Sequence, residues 1–353
     1  EIKRAVNIPV ITVGRYTEPQ FAELMVKEGR ADLVAFGRQS LADPAMPKKA
    51  LEERLEDMTP CIACLQGCVA NMYAGNPVCC LTNPFLGHEA ETLEKAEEPK
   101  KVMVIGGGVA GLSAAFIAKE RGHEVTLYEA GDVLGGNMRL AAYPPGKGDI
   151  TNMIRSYIHR CQKDGVKIVM NCEVTPELIK EEKPDSVIIA TGSKTLILPI
   201  EGIDNPAIIH GSDLLDGKRA AGKKVLVVGG GMVGCETAAF LGEQEHDVTV
   251  IEFRDTVGAD VIHEHRVYLM KDFEDYGIKE ITGAKVCKFY EDGVEYETAD
   301  GVRHESRGYD SVILSMGFRN YNPLEEKIKD LVPETHVIGD AIRARRALDA
   351  TKE

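Results

Sequence analysis

The sequence predicts an α/β fold that contains two related units built on parallel sheets. First, short apolar runs alternate with helix-like segments, which is typical of strands buried on both faces. Second, Gly106–Glu129 aligns without a gap on Gly229–Glu252, about one domain length further along the chain. Third, 353 residues exceed the size of one typical domain. A repeat with this period indicates two similar domains rather than a solenoid.

The composition excludes several classes of protein. Apolar residues make up 44% and charged residues 28%, which excludes a disordered or collagen-like chain. The net charge of −14 argues against non-specific binding to nucleic acid or anionic membranes. The longest apolar run, Val102–Ala118, is too short for a membrane span and is interrupted by glycines. We therefore expect a cytoplasmic protein without nucleic-acid or membrane partners.

The N-terminal residues 1–58 predict two strand–helix units. The expected elements are strands at Ile8–Val13 and Asp32–Phe36 and helices at Pro19–Glu28 and Asp43–Glu56. Two parallel strands leave both sheet edges open, so this segment alone does not complete a sheet.

A cysteine-rich segment follows at 59–88. Cys61, Cys64, Cys68 and Cys80 form the pattern C-x2-C-x3-C-x11-C. Such closely spaced thiolates can hold a [4Fe–4S] cluster, with one cysteine on each iron. Structural zinc is the main alternative, although it usually uses two separated C-x2-C pairs, and disulfides are a third possibility. By spacing alone, Cys79 is as good a fourth ligand as Cys80.

The first repeat opens with a glycine-rich turn after the apolar strand at 102–105. Gly106, Gly108 and Gly111 fit G-x-G-x-x-G, which permits a tight turn, close approach of a pyrophosphate and close packing of helix on strand. The following helix offers free N–H groups and a positive dipole end to phosphates. Glu129 ends the next strand, where a carboxylate can bind ribose hydroxyls.

The second repeat carries Gly229, Gly231, Gly234 and Glu252 in the same frame. The carboxylate of Glu252 would repel a 2′-phosphate, which favours NADH over NADPH. The nearby Arg254 weakens this preference.

The order of these motifs resembles the flavoproteins in which a Rossmann-like FAD domain is interrupted by an NAD(P)H domain. Gly135-Gly136-Asn137, Ala190-Thr191-Gly192 and Gly339-Asp340-Ala341 complete that order. By this resemblance the first repeat binds FAD and the second binds NAD(P)H. The implied FAD contacts are Gly106, Gly108, Ala110, Gly111, Glu129, Gly136, Asn137, Arg139, Ala190, Thr191, Gly192, Gly339 and Asp340. The implied NAD(P)H contacts are Gly229, Gly231, Met232, Gly234 and Glu252. A disulfide reductase is disfavoured, because the remaining cysteines (Cys161, Cys172, Cys235 and Cys287) are solitary.

The cysteine segment makes the resemblance more specific. Cys61–Cys68 (CIACLQGC), Cys80–Pro84 (CLTNP) and Gly37–Pro44 (GRQSLADP) resemble the iron–sulfur flavoenzymes of the Old Yellow Enzyme group, such as 2,4-dienoyl-CoA reductase, 2-enoate reductase and trimethylamine dehydrogenase. The resemblance covers essentially the whole chain. It implies Cys61, Cys64, Cys68 and Cys80 as cluster ligands. It also implies that Gly14, Arg15, Gly37 and Arg38 bind the FMN phosphate after the last two strands of a (β/α)8 barrel.

The resemblance implies a division of the chain into five segments. These are the last two barrel units at 1–58, the cluster segment at 59–88, the first part of the FAD domain at 89–204, the NAD(P)H domain at 205–309 and the return of the FAD domain at 310–353. The chain would then be the C-terminal half of a longer enzyme, ending within its last helix. Since a barrel cannot close on two strands, we expect FMN in the intact enzyme rather than in this chain.

The implied activity is an NADH-dependent reductase. Electrons would pass from NADH to FAD, then through [4Fe–4S] to FMN, and finally to an activated C=C bond of a small molecule such as a 2-enoate or an enoyl-CoA. Hydride transfer to FAD needs no general base or nucleophile, so no catalytic side chain is assigned. An amine dehydrogenase and a non-catalytic electron-transfer module are alternatives, and a homo-oligomer is left open. The intact second glycine motif favours the reductase. The pair His263 and His265 is expected to face solvent.

Overall fold

Two five-stranded parallel sheets form the centre of the computed structural model, which describes residues 1–91 and 93–353. Ahead of them lies a smaller N-terminal part. Its elements are α1 (Ile2–Ala5), β1 (Ile11–Val13), α2 (Pro19–Lys27), β2 (Leu33–Ala35), α3 (Arg38–Ala42), α4 (Met46–Leu51), a 3-10 turn (Leu55–Asp57) and α5 (Val69–Tyr73). Strands β1 and β2 pair in parallel, with Thr12 opposite Val34. This pairing agrees with the two predicted strand–helix units.

The predicted single helix at 43–56 is wrong. The chain there forms α4 and the 3-10 turn, separated by Glu53, whose φ of 56° lies in the left-handed region. At the other end, the carboxylate of Asp43 accepts a hydrogen bond from the backbone N–H of Ala45 at 3.1 Å. This side-chain bond replaces a helical bond and delays the start of α4 to Met46.

The first nucleotide unit begins at Lys101. Its elements are β3 (Lys101–Ile105), α6 (Val109–Glu120), β4 (Glu124–Tyr128), α7 (Gly136–Leu140), α8 (Ile150–Lys163), β5 (Lys167–Val169), α9 (Pro176–Glu182), β6 (Ser186–Ile189) and β7 (Ser193–Thr195). Leu112 and Phe116 of α6 and Tyr157 of α8 are fully buried between the helices and the sheet. Burying three side chains of this size stabilises the packing of α6 on α8 by several kcal/mol, at about 1.5–3 kcal/mol for each large apolar side chain.

The second unit follows directly, and its strand–helix–strand core repeats that of the first. It contains β8 (Ile209–His210), α10 (Gly211–Leu215), β9 (Lys224–Val228), α11 (Met232–Glu243), β10 (Asp247–Ile251), α12 (His263–Asp275), β11 (Lys279–Ile281), β12 (Lys285–Tyr290), β13 (Gly293–Glu297), β14 (Arg303–Ser306) and β15 (Ser311–Leu314). The chain then returns through β16 (Phe318–Asn320), α13 (Glu325–Ile328), β17 (Glu334–Val337) and α14 (Ala347–Lys352).

The strand orders show how the two units are connected. The first sheet runs β17-β6-β3-β4-β5 and the second runs β11-β10-β9-β15-β8, while β12, β13 and β14 form a separate antiparallel sheet. Strands β7 and β16 pair antiparallel, so the chain leaves the first unit and returns to it side by side. The second unit is thus an insertion in the first, and the predicted α/β class with two Rossmann-like units is confirmed.

The return to the first unit begins later than residue 310. Strand β15 lies beside β9, with Ser311 opposite Val225. The sequence contained this information, because Asp310–Ile313 repeats Asp185–Ile188, and β6 occupies the same place beside β3. A strand that repeats the last strand of the first unit completes the second sheet. Within the described ranges, every helix is too short or too polar to span a bilayer.

Candidate functional site

Both glycine-rich turns have the same backbone geometry. Gly106 and Gly229 begin the turns with φ values of 110° and 103°, in the region that glycine tolerates. A Cβ on Gly111 would overlap the carbonyl oxygen of Gly106, and a Cβ on Gly234 would overlap that of Gly229. The first and third glycines therefore allow the close contact of strand, turn and helix that a nucleotide-binding unit needs.

The middle glycine of the first turn leaves room for a ligand. A Cβ built on Gly108 would meet no atom within 4 Å. Gly136 (φ 53°) approaches the same turn so closely that its Cβ would lie 3.2 Å from the Cα of Gly108. The open space at the N-terminus of α6 fits the pyrophosphate of a dinucleotide.

The carboxylates of Glu129 and Glu252 bind the glycine turns themselves. Glu129 accepts hydrogen bonds from the N–H groups of Gly107 and Gly131, both at 2.7 Å. Glu252 accepts one from Gly230 at 2.6 Å and one from Arg254 at 2.9 Å. Each glutamate thereby holds the glycine-rich turn of its own unit in place. The contacts of Glu129 and Glu252 with ribose hydroxyls stay a prediction.

A chain of polar side chains brings distant FAD candidates together. The amide of Asn137 donates to the Ser193 hydroxyl at 3.2 Å, and that hydroxyl donates to the carboxylate of Asp340 at 2.9 Å. Thr191 donates to the carbonyl of Tyr321 at 2.5 Å. The three motifs of the first unit thus meet at the carboxyl edge of its sheet, where nucleotides bind in such folds.

Three other predicted contacts have partners within the chain. Arg139 forms an ion pair with Asp216 of the second unit. Ala110 is buried, and a Cβ on Gly339 would lie 2.9 Å from its methyl carbon. Arg139 therefore joins the two units, and Ala110 allows the close approach of Gly339 to α6.

The predicted FMN residues lie at one edge of the N-terminal strand pair. Gly14 and Gly37 follow β1 and β2, whose parallel pairing brings them to the same side. Arg15 forms an ion pair with Asp149 of the first nucleotide unit. Arg38 lines the cysteine cavity, where its positive charge favours the thiolate form of Cys61.

The cysteine segment encloses a small cavity. Apolar side chains, including Leu41, Ile62, Leu65 and Leu81, form part of its wall. The cysteines that line it are Cys61, Cys64, Cys68, Cys79 and Cys80. A largely apolar pocket lined by thiols fits an iron–sulfur cluster.

The protonation of these thiols reflects their burial. Burial, together with smaller contributions from Cys80, Cys68 and Cys61, raises the pKa of Cys64 to about 12. The pKa of Cys61 is also raised, mainly by burial, and the charges of Cys80 and Cys68 act in the same direction. A bound metal would therefore have to displace protons from these groups.

A cluster and a zinc ion require different distances between their thiolates. Four thiolates on one zinc each lie about 2.3 Å from the same ion. In a cubane each thiolate binds its own iron, so the sulfurs lie further apart.

Buried polar groups of the N-terminal part fix the first cysteine. The Gln39 side chain is 2% exposed; its carbonyl accepts from the N–H of Cys61 at 2.8 Å, and its amide donates to the carbonyl of Thr59 at 2.9 Å. From the other side, the hydroxyl of Tyr157 donates to the carbonyl of Leu81 at 3.3 Å. The cysteine loops are thus held between α3 and α8.

Sequence reasoning missed several residues of the site. His265, expected in solvent, is half-buried, and its Nε2 donates to the carbonyl of Ala63 at 3.2 Å. Lys147 forms an ion pair with Glu236 of α11, and Asp260 accepts a hydrogen bond from the N–H of Met232 at 2.8 Å. Only Asp260 carried a sequence signal, because the gapless repeat extends to it.

Comparison with known proteins identifies the family. The pyridine nucleotide-disulphide oxidoreductase family model matches residues 100–335. The chain belongs to this family. The NADH:flavin oxidoreductase / NADH oxidase family model matches residues 1–57.

Relatives of the chain match both its N-terminal part and its two nucleotide units. An NADH oxidase of Thermoanaerobacter brockii is 38% identical over 99% of the chain and 55% of its own length. A cinnamate reductase of Clostridium sporogenes is 33% identical over 99% of the chain and 52% of its own length. The structure of a 2-naphthoyl-CoA reductase superposes with a TM-score of 0.95 at 34% identity, covering 99% of this chain and 54% of that one. The chain spans about half the length of these relatives.

The predicted resemblance to iron–sulfur flavoenzymes of the Old Yellow Enzyme group is confirmed by these matches. This membership supports FAD, NADH and an iron–sulfur cluster as the cofactors of the family member. A histamine dehydrogenase from Rhizobium shares the fold, with a TM-score of 0.88 at 23% identity.

Proposed function

We propose that this chain is the electron-input half of an NADH-dependent iron–sulfur flavoprotein reductase. The first nucleotide unit binds FAD and the second binds NADH. The thiolates of Cys61, Cys64, Cys68 and Cys80 hold a [4Fe–4S] cluster. In the complete enzyme the electrons reach FMN in the barrel and reduce an activated C=C bond of a small molecule such as a 2-enoate or an enoyl-CoA. When bound, FAD takes a hydride from NADH and can release its electrons singly to a cluster.

The observation that supports this proposal best is the matched geometry of the two glycine turns. Both retain the left-handed first glycine and the close third glycine, and in both a glutamate binds the turn. An amine dehydrogenase that sends electrons outward has no need of an intact second nucleotide site. The retained turn at Gly229–Gly234 therefore favours NADH as the electron source.

The residues of the site bind and position the cofactors and perform no proton transfer. The open side of Gly108 and the N-terminus of α6 accept the FAD pyrophosphate, and Asp340 lies across the site on the same edge. The insertion of one unit in the other, through β7 and β16, places the NADH unit next to the FAD unit. Outside the site, we propose cytoplasmic location and no nucleic-acid partner.

An anaerobic titration of the purified, cofactor-loaded chain with NADH tests this function. We expect the visible flavin band to bleach on addition of NADH. Gly108→Glu introduces a carboxylate into the open side of the first turn, so this variant loses its flavin. The matched variant Gly231→Glu keeps its flavin but no longer bleaches with NADH, while dithionite still reduces it. A wild-type flavin reduced by dithionite and not by NADH contradicts the proposal, as does loss of flavin from both variants.

A further inference from the structure

The two nucleotide units differ in charge at an equivalent position beside the glycine turn. The gapless repeat extends from Glu129–Asn137 onto Glu252–Asp260, so that Asn137 corresponds to Asp260. The structure supports this alignment, because the N–H of Gly135 donates to the carbonyl of Gly107 at 2.8 Å and that of Gly258 donates to Gly230 at 2.7 Å. The first unit has a neutral amide where the second has a carboxylate.

The carboxylate of Asp260 occupies the N-terminus of α11. Its Oδ1 accepts a hydrogen bond from the N–H of Met232 at 2.8 Å. A Cβ built on Gly231 would lie 3.5 Å from the other carboxylate oxygen of Asp260, whereas the equivalent position on Gly108 meets nothing within 4 Å. The second unit is therefore closed at the point where the first is open.

The Asp260 side chain is exposed, and a basic neighbour contacts its main chain. Among the described residues, no Lys, Arg or His forms an ion pair with its carboxylate, which is exposed. Arg346, from the first unit, donates instead to the backbone carbonyl of Asp260 at 3.1 Å. This contact holds the main chain in place, so rotation of the Asp260 side chain alone can clear the helix N-terminus.

We propose that Asp260 is an affinity-determining residue that competes with the pyrophosphate of NADH for the N-terminus of α11. This inference rests on the proposed NADH site. One anion at a time can accept the hydrogen bond of Met232, and the two anions repel each other. Binding thus requires displacement of the carboxylate, which lowers the apparent affinity by the fraction of molecules in the open state. FAD meets no such competitor in the first unit.

The test uses ADP-ribose, which carries the pyrophosphate but lacks the nicotinamide that donates the hydride. Its dissociation constant is measured by calorimetry for the wild-type chain, Asp260→Asn and the control Asp255→Asn. Asp255 is exposed in the same loop, so this control makes the same change of charge away from the helix. We expect Asp260→Asn to bind about tenfold more tightly, from the typical effect of a charge at a helix N-terminus. Asp255→Asn should bind as the wild type does.

A reciprocal variant tests the same idea in the first unit. Asn137→Asp gives the first unit the carboxylate that the second unit carries at the equivalent position, and we expect about tenfold weaker retention of FAD. Unchanged or weaker binding of ADP-ribose by Asp260→Asn overturns the inference while leaving the NADH site in place. An equal gain in the affinity for ADP-ribose in Asp255→Asn would show that only the net charge matters, and this result also overturns the inference. Absence of ADP-ribose binding in all three proteins removes the proposed NADH site itself, and the inference with it.

Discussion

The Nε2 atom of His265 lies 3.2 Å from the carbonyl oxygen of Ala63, so a helix of the second nucleotide unit touches the cysteine loop. The loop needs such support, because Ala63 and Leu65 have φ values of 52° and 57°, which residues other than glycine rarely adopt. Burial lowers the pKa of His265, which keeps the imidazole neutral near pH 7. The contact connects the NADH unit mechanically to the cluster segment.

We predict that His265→Ala lowers both the melting temperature and the iron content of the reconstituted chain. Loss of one hydrogen bond to a partly buried carbonyl costs about 1 kcal/mol. His263→Ala, an exposed residue two positions earlier on α12, is the control and should change neither quantity. Iron analysis and thermal unfolding decide the matter, and equal behaviour of the two variants would show that the contact has no role in holding the loop.

The two adjacent cysteines of the second loop should behave differently. Beside burial, which is the main cause, charges at Cys80, Cys68 and Cys61 raise the pKa of Cys64. The sulfur of Cys79 instead accepts from the amide of Asn71 at 3.4 Å. We predict that Cys80→Ser loses the cluster and that Cys79→Ser keeps it. Iron and sulfide analysis tests this, and loss of iron from Cys79→Ser alone would assign the ligand to Cys79.

The sequence predicted the features that are repeated or that arise from neighbouring residues. It did not predict contacts between residues that are far apart in the chain. Two glycine turns in one frame identified both units, and the cysteine spacing predicted that these thiols lie together, as they do in one cavity. The contact of His265 with Ala63 joins residues from two different units, so no local pattern marks it. The expected boundary at 310 differs from the structure for another reason: Asp310–Ile313 repeats Asp185–Ile188, and a strand with this repeat completes the second sheet before the chain returns to the first.

The carboxylate of Asp57 anchors the N-terminal part to α8 and makes this anchor sensitive to acid. Hydrogen bonds from Lys163, His159 and Arg54 hold the pKa of Asp57 well below its usual value. A carboxyl whose pKa is lower in the folded state stabilises above its unfolded pKa, and the contribution is lost as pH falls below about 4. The anchor is therefore fully present at pH 7 and weakens in acid.

We predict that Asp57→Asn lowers the free energy of unfolding by about 2 kcal/mol at pH 7, which is typical of hydrogen bonds to a charged group. The difference from the wild type should shrink as the pH approaches 3. Asp164→Asn, which removes an exposed carboxylate at the end of the same helix, is the control. Urea unfolding at several pH values measures the effect, and a difference that stays constant with pH would contradict this origin.

The ion pair between Lys147 and Glu236 crosses from the first nucleotide unit to α11 of the second. Glu236 is 8% exposed, and burial raises its pKa even though Lys147 acts in the opposite direction. Removing one partner of such a pair leaves a buried charge without compensation, which costs about 3–5 kcal/mol, whereas replacing both partners by apolar groups is often close to neutral. The effects of changing Lys147 and Glu236 on the free energy of unfolding should therefore be strongly coupled.

We predict that Lys147→Met destabilises the chain and that adding Glu236→Leu recovers most of the lost stability. The destabilisation of the single variant should grow with pH, because a carboxyl whose pKa is raised in the folded state opposes folding more strongly once the unfolded chain ionises it. Urea unfolding at pH 5 and pH 8 measures both effects, with the exposed Lys180→Met as control. Additive losses in the double variant would show that the two charges do not depend on each other, and that another contact holds the NADH unit against the FAD unit.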